Sequence, residues 1–314
     1  MIKIGILGCG KIAHRFVKGA FETSNTSVVA CAARDIERAH EFANLYQIKS
    51  VYGDYESLVK DPEVQAIYVA TPPFMHEEHI RLCLNHGKHV ISEKPFVSNS
   101  SVVRELFNLA KSKSLVLMEA NKTVFTPTLI DIKRKLEENV IGEALYAEGS
   151  YTYRFPTNEH WVFDKDKMGG GMFDVGVYPL TVALYLFGLE VKQMKKMKIV
   201  NSKGSDDLTH MLIQYSNQRL VSVKGGIGIE TDNHFTLYGT EGKIRCPRFS
   251  KSNYYLIERY GSPEEVIKFE FNSEFAFEIE HFSKCIEEGL MESPVMSEAM
   301  SIAIVDLINK ESYE

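Results

Sequence analysis

The chain has 314 residues, 44% of them apolar and 25% charged, with a formal net charge of −6. That is enough for one large or two medium domains with a sizeable core, and the dispersed Lys and Arg form no basic patch for nucleic acid or an anionic membrane surface. The five cysteines, Cys9, Cys31, Cys83, Cys246 and Cys285, lie apart without a CxxC or Cys/His cluster, which points to free thiols in the cytoplasm rather than to a metal site or a disulfide framework.

The first element is the continuous apolar run Ile2–Leu7, a strand buried on both faces, and a chain that starts on a strand leaves no room for a signal peptide. Gly8-Cys9-Gly10-Lys11-Ile12-Ala13 follows directly. A GxGxxG/A hexapeptide is weak by itself, but between a strand and a helix each position has a task. Gly8 makes the tight turn, Gly10 lets the backbone approach a pyrophosphate and Ala13 allows close helix packing. The amides of Lys11 and Ile12 at the helix start face the phosphates. The helix Ile12–Phe21 repeats Ile12, Phe16 and Ala20 at i+4.

The next strand, Ser27–Ala33, ends in Ala33-Arg34-Asp35. NAD-binding units place a carboxylate at this strand end to hold the adenosine ribose. Ala33 offers none, and Arg34 can pair with a 2′-phosphate or stack on adenine. Asp35 reads as the N-cap of the helix Ile36–Tyr46. NADP is therefore expected over NAD.

The strand Ala66–Thr71 runs into Thr71-Pro72-Pro73. Ligands of parallel sheets bind at the carboxyl ends of strands, so Thr71 and Pro72 are expected to line the cofactor crevice. His76, at the start of the helix Met75–His86, is either a ligand contact or a polar residue of the first turn. Lys88–Ser92 leads to Glu93-Lys94-Pro95. A lysine here points to the nicotinamide end of the crevice and can assist proton transfer from a substrate hydroxyl, with Glu93 as a neighbouring opposite charge and Pro95 fixing the backbone. The helix Ser101–Lys111 and the strand Leu115–Met118 complete a doubly wound parallel α/β domain over residues 1–120.

From residue 121 the pattern changes. After Thr126-Pro127 come a helix to about Asn139 and a strand, Ala144–Tyr153. His160 and Trp161 precede Gly169-Gly170-Gly171-Met172-Phe173-Asp174-Val175-Gly176-Val177-Tyr178; either can contact substrate, although Trp161 is better read as packing. Asp174 and Tyr178 are four apart and share a helix face; a cap and a core aromatic would explain them equally well. The apolar stretch Gly176 to Leu189 contains Pro179 and falls short of the about 20 residues that cross a bilayer, so it reads as a buried helix. Beyond it, period-two stretches carry Met211, Ile213 and Tyr215, then Val221 and Val223, and continue through Asp232–Tyr238, Lys243–Cys246, Tyr254–Arg259 and Val266–Phe271. They form a large, mostly antiparallel open sheet in an α+β domain, residues 121–314. Two helices close the chain, the first with the stripe Phe275, Ile279, Phe282 and Ile286. These are too few helices to cover both sheet faces, so an apolar face is expected to be exposed and to join a homodimer or a dimer of dimers.

Together, Gly8–Ala13, Ala70-Thr71-Pro72, Gly87-Lys88-His89-Val90 with Glu93-Lys94-Pro95, and the Gly169–Tyr178 segment resemble the Gfo/Idh/MocA family, the oxidoreductases related to glucose–fructose oxidoreductase and inositol dehydrogenase. The resemblance covers essentially the whole chain. It implies a Rossmann domain, an open-sheet C-terminal domain that often forms a dimer interface, and a nicotinamide cofactor held between them. It maps the family lysine onto Lys94 and the family aspartate onto Asp174. Tyr178, where inositol dehydrogenase-like members often carry histidine, is similar to the dihydrodiol dehydrogenase and glucose–fructose oxidoreductase branch, as is Leu117-Met118-Glu119-Ala120; Asn121-Lys122-Thr123-Val124-Phe125 departs from that branch.

The expected function is an NADP- or NAD-dependent dehydrogenase moving a hydride between nicotinamide and a polyol, sugar or related secondary alcohol. Tyr178 is the expected general acid/base, its phenol pKa near 10 brought down by the Lys94 ammonium, with Asp174 orienting a substrate hydroxyl. Alternatively Lys94 donates the proton and Tyr178 positions substrate. A sensor without turnover and an NAD-dependent glycosidase are the other readings the fold permits.

Overall fold

The computed structural model describes residues 1–156 and 160–313. The chain divides into two compact units, Met1–Lys122 with Ser273–Ile302, and Thr123–Asn272 with the residues from Ala303 onward.

The first unit alternates strand and helix: β1 (Ile2–Leu7), α1 (Lys11–Ala20), β2 (Thr26–Ala32), α2 (Ile36–Tyr46), β3 (Ser50–Tyr52), α3 (Tyr55–Lys60), β4 (Ala66–Val69), α4 (His76–Asn85), β5 (His89–Glu93), α5 (Ser100–Ser112) and β6 (Leu117–Ala120). The strands pair in parallel in the order β3-β2-β1-β4-β5-β6. Ile4, Ile6, Ile67, Tyr68, Val90, Ile91 and Leu117 are fully enclosed, as strands covered on both faces must be. The order reverses direction between β1 and β4, which places the loops after these two strands side by side. β3 and α3 were not expected from the sequence, since three residues and six are too short for a periodic signal.

The second unit contains α6 (Pro127–Glu137), β7 (Ala144–Thr152), α7 (Val177–Phe187), β8 (Val191–Val200), β9 (Asp206–Tyr215), β10 (Leu220–Gly226), β11 (His234–Gly239), β12 (Gly242–Pro247), β13 (Tyr254–Arg259) and β14 (Glu265–Lys268). The chain then continues through α8 (Phe275–Glu287), α9 (Glu298–Asn309) and β15 (Ser312–Tyr313). The sheet order is β14-β13-β12-β11-β7-β10-β9-β8-β15, antiparallel except where β7 meets β10. β8 was missed because its lysines interrupt the alternation, and only Met194 is buried. Charged residues of this kind keep strands near a sheet edge from pairing with other chains.

One sheet face is core. Met211, Ile213, Val221, Val223, Ala147, Leu237 and Ile244 are buried, and α7 packs on β7 and β10. The opposite face carries exposed apolar side chains as expected, Met197 and Ile199 of β8 among them. Leu212 and Leu220 are exposed there, but His210 bonds Ser222 at 2.6 Å and Tyr238 donates to Glu148 at 2.7 Å. Polar pairs thus interleave with the aliphatic side chains. Among the described residues, one helical run, Lys165–Phe187, is long and apolar enough to cross a membrane by composition, and 83% of its window is buried inside the protein; packing on the sheet accounts for its apolarity.

The continuous second domain read from the sequence differs from the observed division, because α8 packs in the first unit. Gly19 makes this contact: a Cβ there would stand 2.6 Å from Phe275 Cβ. The Phe275 ring has Arg15 at 4.9 Å and Lys122 at 5.2 Å from its centroid, and Thr26 Oγ1 bonds Ser283 Oγ at 2.7 Å.

Candidate active site

The phosphate cradle is local. Gly8 has φ +102°, a conformation that favours glycine, and a Cβ there would press on the Ala70 carbonyl oxygen at 3.0 Å. Gly10 precedes α1 in extended conformation, and a Cβ on it would meet only the Ala70 oxygen at 4.0 Å. No side chain caps α1 and no acid stands in its first turn, whereas Asp35, Asp54 and Asn99 cap α2, α3 and α5. The amides of the first turn, beginning with Lys11 and Ile12, are the helix-start donors that a pyrophosphate satisfies. The cradle fits a dinucleotide.

At the end of β2, Ala33 is buried and Arg34 exposed. Asp35 accepts from the amides of Glu37 at 3.1 Å and Arg38 at 3.4 Å, so its carboxylate serves as the cap expected of it. Arg38 was not singled out in the sequence, yet its Nε donates to the Cys9 carbonyl at 3.1 Å and ties α2 to the glycine loop. Beside it, the buried Cys9 thiol donates to the Ala32 carbonyl at 3.6 Å.

At the end of β4, Thr71 is nearly buried and Pro72 opens a short 3-10 turn, Pro73–Met75. His76 is fully buried, with Nδ1 3.0 Å from the Pro95 oxygen and 3.1 Å from the Phe96 oxygen, and Nε2 2.9 Å from the Thr71 oxygen. Burial pushes its pKa down to about 4, while the carbonyl oxygens of Thr71, Pro95 and Phe96 hold it back. Both ring nitrogens face backbone oxygens, and the imidazole joins the Thr71 turn to the segment that follows Lys94.

Glu93 is buried beneath that segment. Tyr68, stacked on Phe16 with centroids 3.7 Å apart, donates to one carboxylate oxygen, and the Lys94 amide donates to the other at 3.2 Å. Burial pushes the Glu93 pKa up, while Tyr68, Lys94 and Lys122 hold it back. Lys94 is half-buried and followed by a cis peptide to Pro95.

A second buried acid, Glu119 on β6, accepts from Ser301 Oγ at 2.7 Å. Burial pushes its pKa up from 4.5 to about 7. The folded state therefore prefers the protonated acid, and the stability this gives is complete below pH 4.5 and lost as pH rises through 7. Glu119→Gln is expected to stabilise the protein by about 1–3 kcal/mol at pH 8 and by little at pH 5. Urea unfolding at the two pH values measures this; equal shifts at both would refute it.

In the second unit, Asp174 lies in a π-helical turn, Met172–Gly176, that runs directly into α7, where Tyr178 sits in the first turn. The helix face expected to hold Asp174 and Tyr178 thus begins in a wider turn, a feature frequent at functional sites. Glycine-on-glycine packing produces it. A Cβ on Gly171 would stand 2.7 Å from Gly226 Cα, and one on Gly225 would stand 2.5 Å from Gly176 Cα. Asp206 of β9, also unforeseen, accepts from the Met172 amide at 2.9 Å and from Thr209 Oγ1 at 2.7 Å, anchoring the turn from outside. Tyr178 is buried with its ring 5.5 Å from Tyr151. Trp161 packs on the Val162, Phe163, Val175 and Ile227 cluster, as the packing reading expects. His160 is exposed and caps the short turn Trp161–Phe163.

Residues 2–121 match the oxidoreductase family with an NAD-binding Rossmann fold, and residues 129–245 match the GFO/IDH/MocA C-terminal domain. The chain belongs to the Gfo/Idh/MocA oxidoreductase family. It is 31% identical to the trans-1,2-dihydrobenzene-1,2-diol dehydrogenase of Xenopus laevis over 98% of this chain and 96% of that protein. The human protein of that name is 30% identical over 98% and 95%. Among solved structures it is similar to a 3-ketoreductase from Actinomadura kijaniata in complex with NADP and TDP-benzene, with TM-score 0.89, 25% identity and coverage of 97% and 96%. An aldose–aldose oxidoreductase from Caulobacter crescentus shares the fold, with TM-score 0.90 at 18% identity and coverage of 98% and 95%. As a Gfo/Idh/MocA member the protein is an NAD(P)-dependent oxidoreductase acting on CH–OH groups. The expected family, two-part α/β fold, cofactor class and reaction class are borne out.

Proposed function

We propose that this protein is an NADP-preferring dehydrogenase or reductase whose substrate is a vicinal diol, cyclic polyol, sugar or related secondary alcohol, or the matching carbonyl. The observation that carries the cofactor preference is the end of β2, where Ala33 supplies no ribose carboxylate, Asp35 is committed to capping α2, and Arg34 remains as the exposed cation. The substrate class follows from the diol dehydrogenases and the ketoreductase that the chain resembles.

When bound, the nicotinamide supplies the hydride donor or acceptor. Tyr178 moves the proton of the substrate hydroxyl, the Lys94 ammonium favours its phenolate form, and Asp174 orients a second hydroxyl. Solved variants of the similar ketoreductase carry substitutions at a lysine and at a tyrosine separated by the same sequence interval as Lys94 and Tyr178, which supports pairing these two.

A screen of dihydrodiols, cyclic polyols and sugars, followed by reduced-nicotinamide absorbance with NADP and with NAD, tests this reading. Failure to form reduced cofactor with any of them would favour a sensor or a glycosidase. Arg34→Ala is expected to weaken NADP binding by about 1–3 kcal/mol, the scale of a charge-assisted contact, and to leave NAD binding unchanged. Calorimetric titration showing no difference between wild type and variant would remove Arg34 from the site.

The assembly in this reading is a homodimer, or a dimer of dimers, through the open sheet face, which the exposed Leu212 and Leu220 and the family resemblance support. Light scattering after size exclusion is expected to give at least twice the 35.6 kDa chain mass; a monomer at tens of micromolar would refute it. Cytoplasmic residence is supported by the five free thiols, and small molecules rather than nucleic acid or membrane are the partners that the net charge of −6 supports.

A further inference from the structure

A helix start leaves its first amides without partners, and the side chain of a cap residue usually supplies an acceptor. Gly171, which precedes the π-helical turn Met172–Gly176, has no side chain to do so. Asp206, the first residue of β9, fills that place from 34 residues away, its Oδ2 accepting from the Met172 amide at 2.9 Å. The same oxygen accepts from Thr209 Oγ1 at 2.7 Å, and Thr209 is fully buried opposite Gly225 of β10. Asp206 Oδ1 lies against Gly170, which has φ +132°, and a Cβ on that glycine would collide with it. The Gly170 carbonyl in turn accepts from the Asp174 amide at 2.9 Å. One carboxylate therefore bounds the entry of the turn on two sides. It binds the Met172 amide, and it limits where the Gly170 backbone that holds the Asp174 amide can go.

We propose that Asp206 is a positioning residue for the reaction, setting the start of the π-helical turn and through it the place of the Asp174 carboxylate. It acts through the backbone of the turn rather than on substrate. A misplacement of about 1 Å at a group that orients substrate costs on the order of 100-fold in rate, so the fixing of this turn is felt in the chemistry. The inference rests on the reading above in which Asp174 orients a substrate hydroxyl, and it gives a part in the reaction to a residue outside every motif.

The test is steady-state kinetics with NADP and the dihydrodiol, cyclic polyol or sugar that the wild type oxidises fastest. Asp206→Ala removes both contacts and is expected to lower kcat by about 10- to 100-fold, with the KM for NADP unchanged. Asp206→Asn keeps an acceptor oxygen for the Met172 amide and is expected to recover kcat to within about threefold of wild type. Once Asp174→Asn has removed the group being placed, Asp206→Ala is expected to cost no further kcat, as for two residues that act through one group. Thr209→Val is the milder change to use if Asp206→Ala does not fold. It is expected to lower kcat by about three- to tenfold, the scale of one hydrogen bond, again only while Asp174 is present. An undiminished loss in the Asp174→Asn background, an Asp206→Asn enzyme as impaired as Asp206→Ala, or wild-type kcat in both Asp206→Ala and Thr209→Val overturns the inference and leaves Asp174 in its role. Wild-type kcat in Asp174→Asn overturns the reading of Asp174, and this inference with it. A wild type that oxidises none of these compounds overturns the proposed function and all that rests on it.

Discussion

Tyr178→Phe is expected to lower kcat by about 10²–10⁴-fold, the span of a lost general acid/base, with cofactor affinity and stability close to wild type. The substitution is clean because the Tyr178 ring is buried and packs 5.5 Å from Tyr151, and Phe keeps that packing. Under the proposed mechanism, Lys94→Ala is expected to lower kcat over the same range of about 10²–10⁴-fold. Both losses belong in kcat rather than in KM, because the proton is shared only as the reaction proceeds. Steady-state kinetics on the substrate found by the screen, with cofactor titration as control, decides the matter. A Tyr178→Phe enzyme with near-normal turnover, beside a dead Lys94→Ala enzyme, would make Lys94 the proton donor and Tyr178 a packing residue.

Gly225→Ala is expected to destabilise the protein by about 3 kcal/mol or more, the upper end of what overpacking costs. The new Cβ would stand 2.5 Å from Gly176 Cα and 2.9 Å from the Gly171 oxygen. Both are backbone atoms, so no side-chain rotation relieves the clash, and the π-helical turn must lift from β10. Because that turn carries Asp174 and leads into Tyr178, kcat should fall even under conditions where the variant is folded. Gly53→Ala is the control. Its Cβ would meet Ile36 at ordinary contact distances of 3.5–3.8 Å, and a change of under about 1 kcal/mol is expected. Urea unfolding midpoints compare the two, and equal stability of both variants would remove the glycine contact as the anchor of the turn.

The two units were unequally legible in the sequence. β1, β2, β4, β5 and β6 could be read because strands buried on both faces leave continuous apolar runs. The glycine loop and the Asp35 cap could be read because their chemistry involves residues a few positions apart. In the same way Gly8, Gly10, Lys94, Asp174 and Tyr178 declared themselves by motif and spacing, and the family followed from their combination. The open sheet was foreseen as alternation, but β8 was hidden by its lysines, and the polar pairs of its outer face depend on cross-strand register that single-strand alternation does not carry.

What only the tertiary structure decided are contacts between residues distant in the chain. His76 could be read either as a ligand contact or as a polar residue of the first turn, and only the fold shows it buried between the Thr71 turn and the Pro95 carbonyl. Arg38, Glu119 and Asp206 carry no motif, and each matters through a partner brought in from another element: Cys9, Ser301 and the Met172 amide. The return of α8 to the first unit rests on the absence of a side chain at Gly19, and the π-helical turn rests on glycines of β10 about fifty residues downstream. Local sequence fixes which backbone conformation each short stretch prefers. Close packing between stretches sets where a helix must widen, which acid is buried and which histidine is withdrawn from solvent, and it leaves no periodic trace in either partner alone.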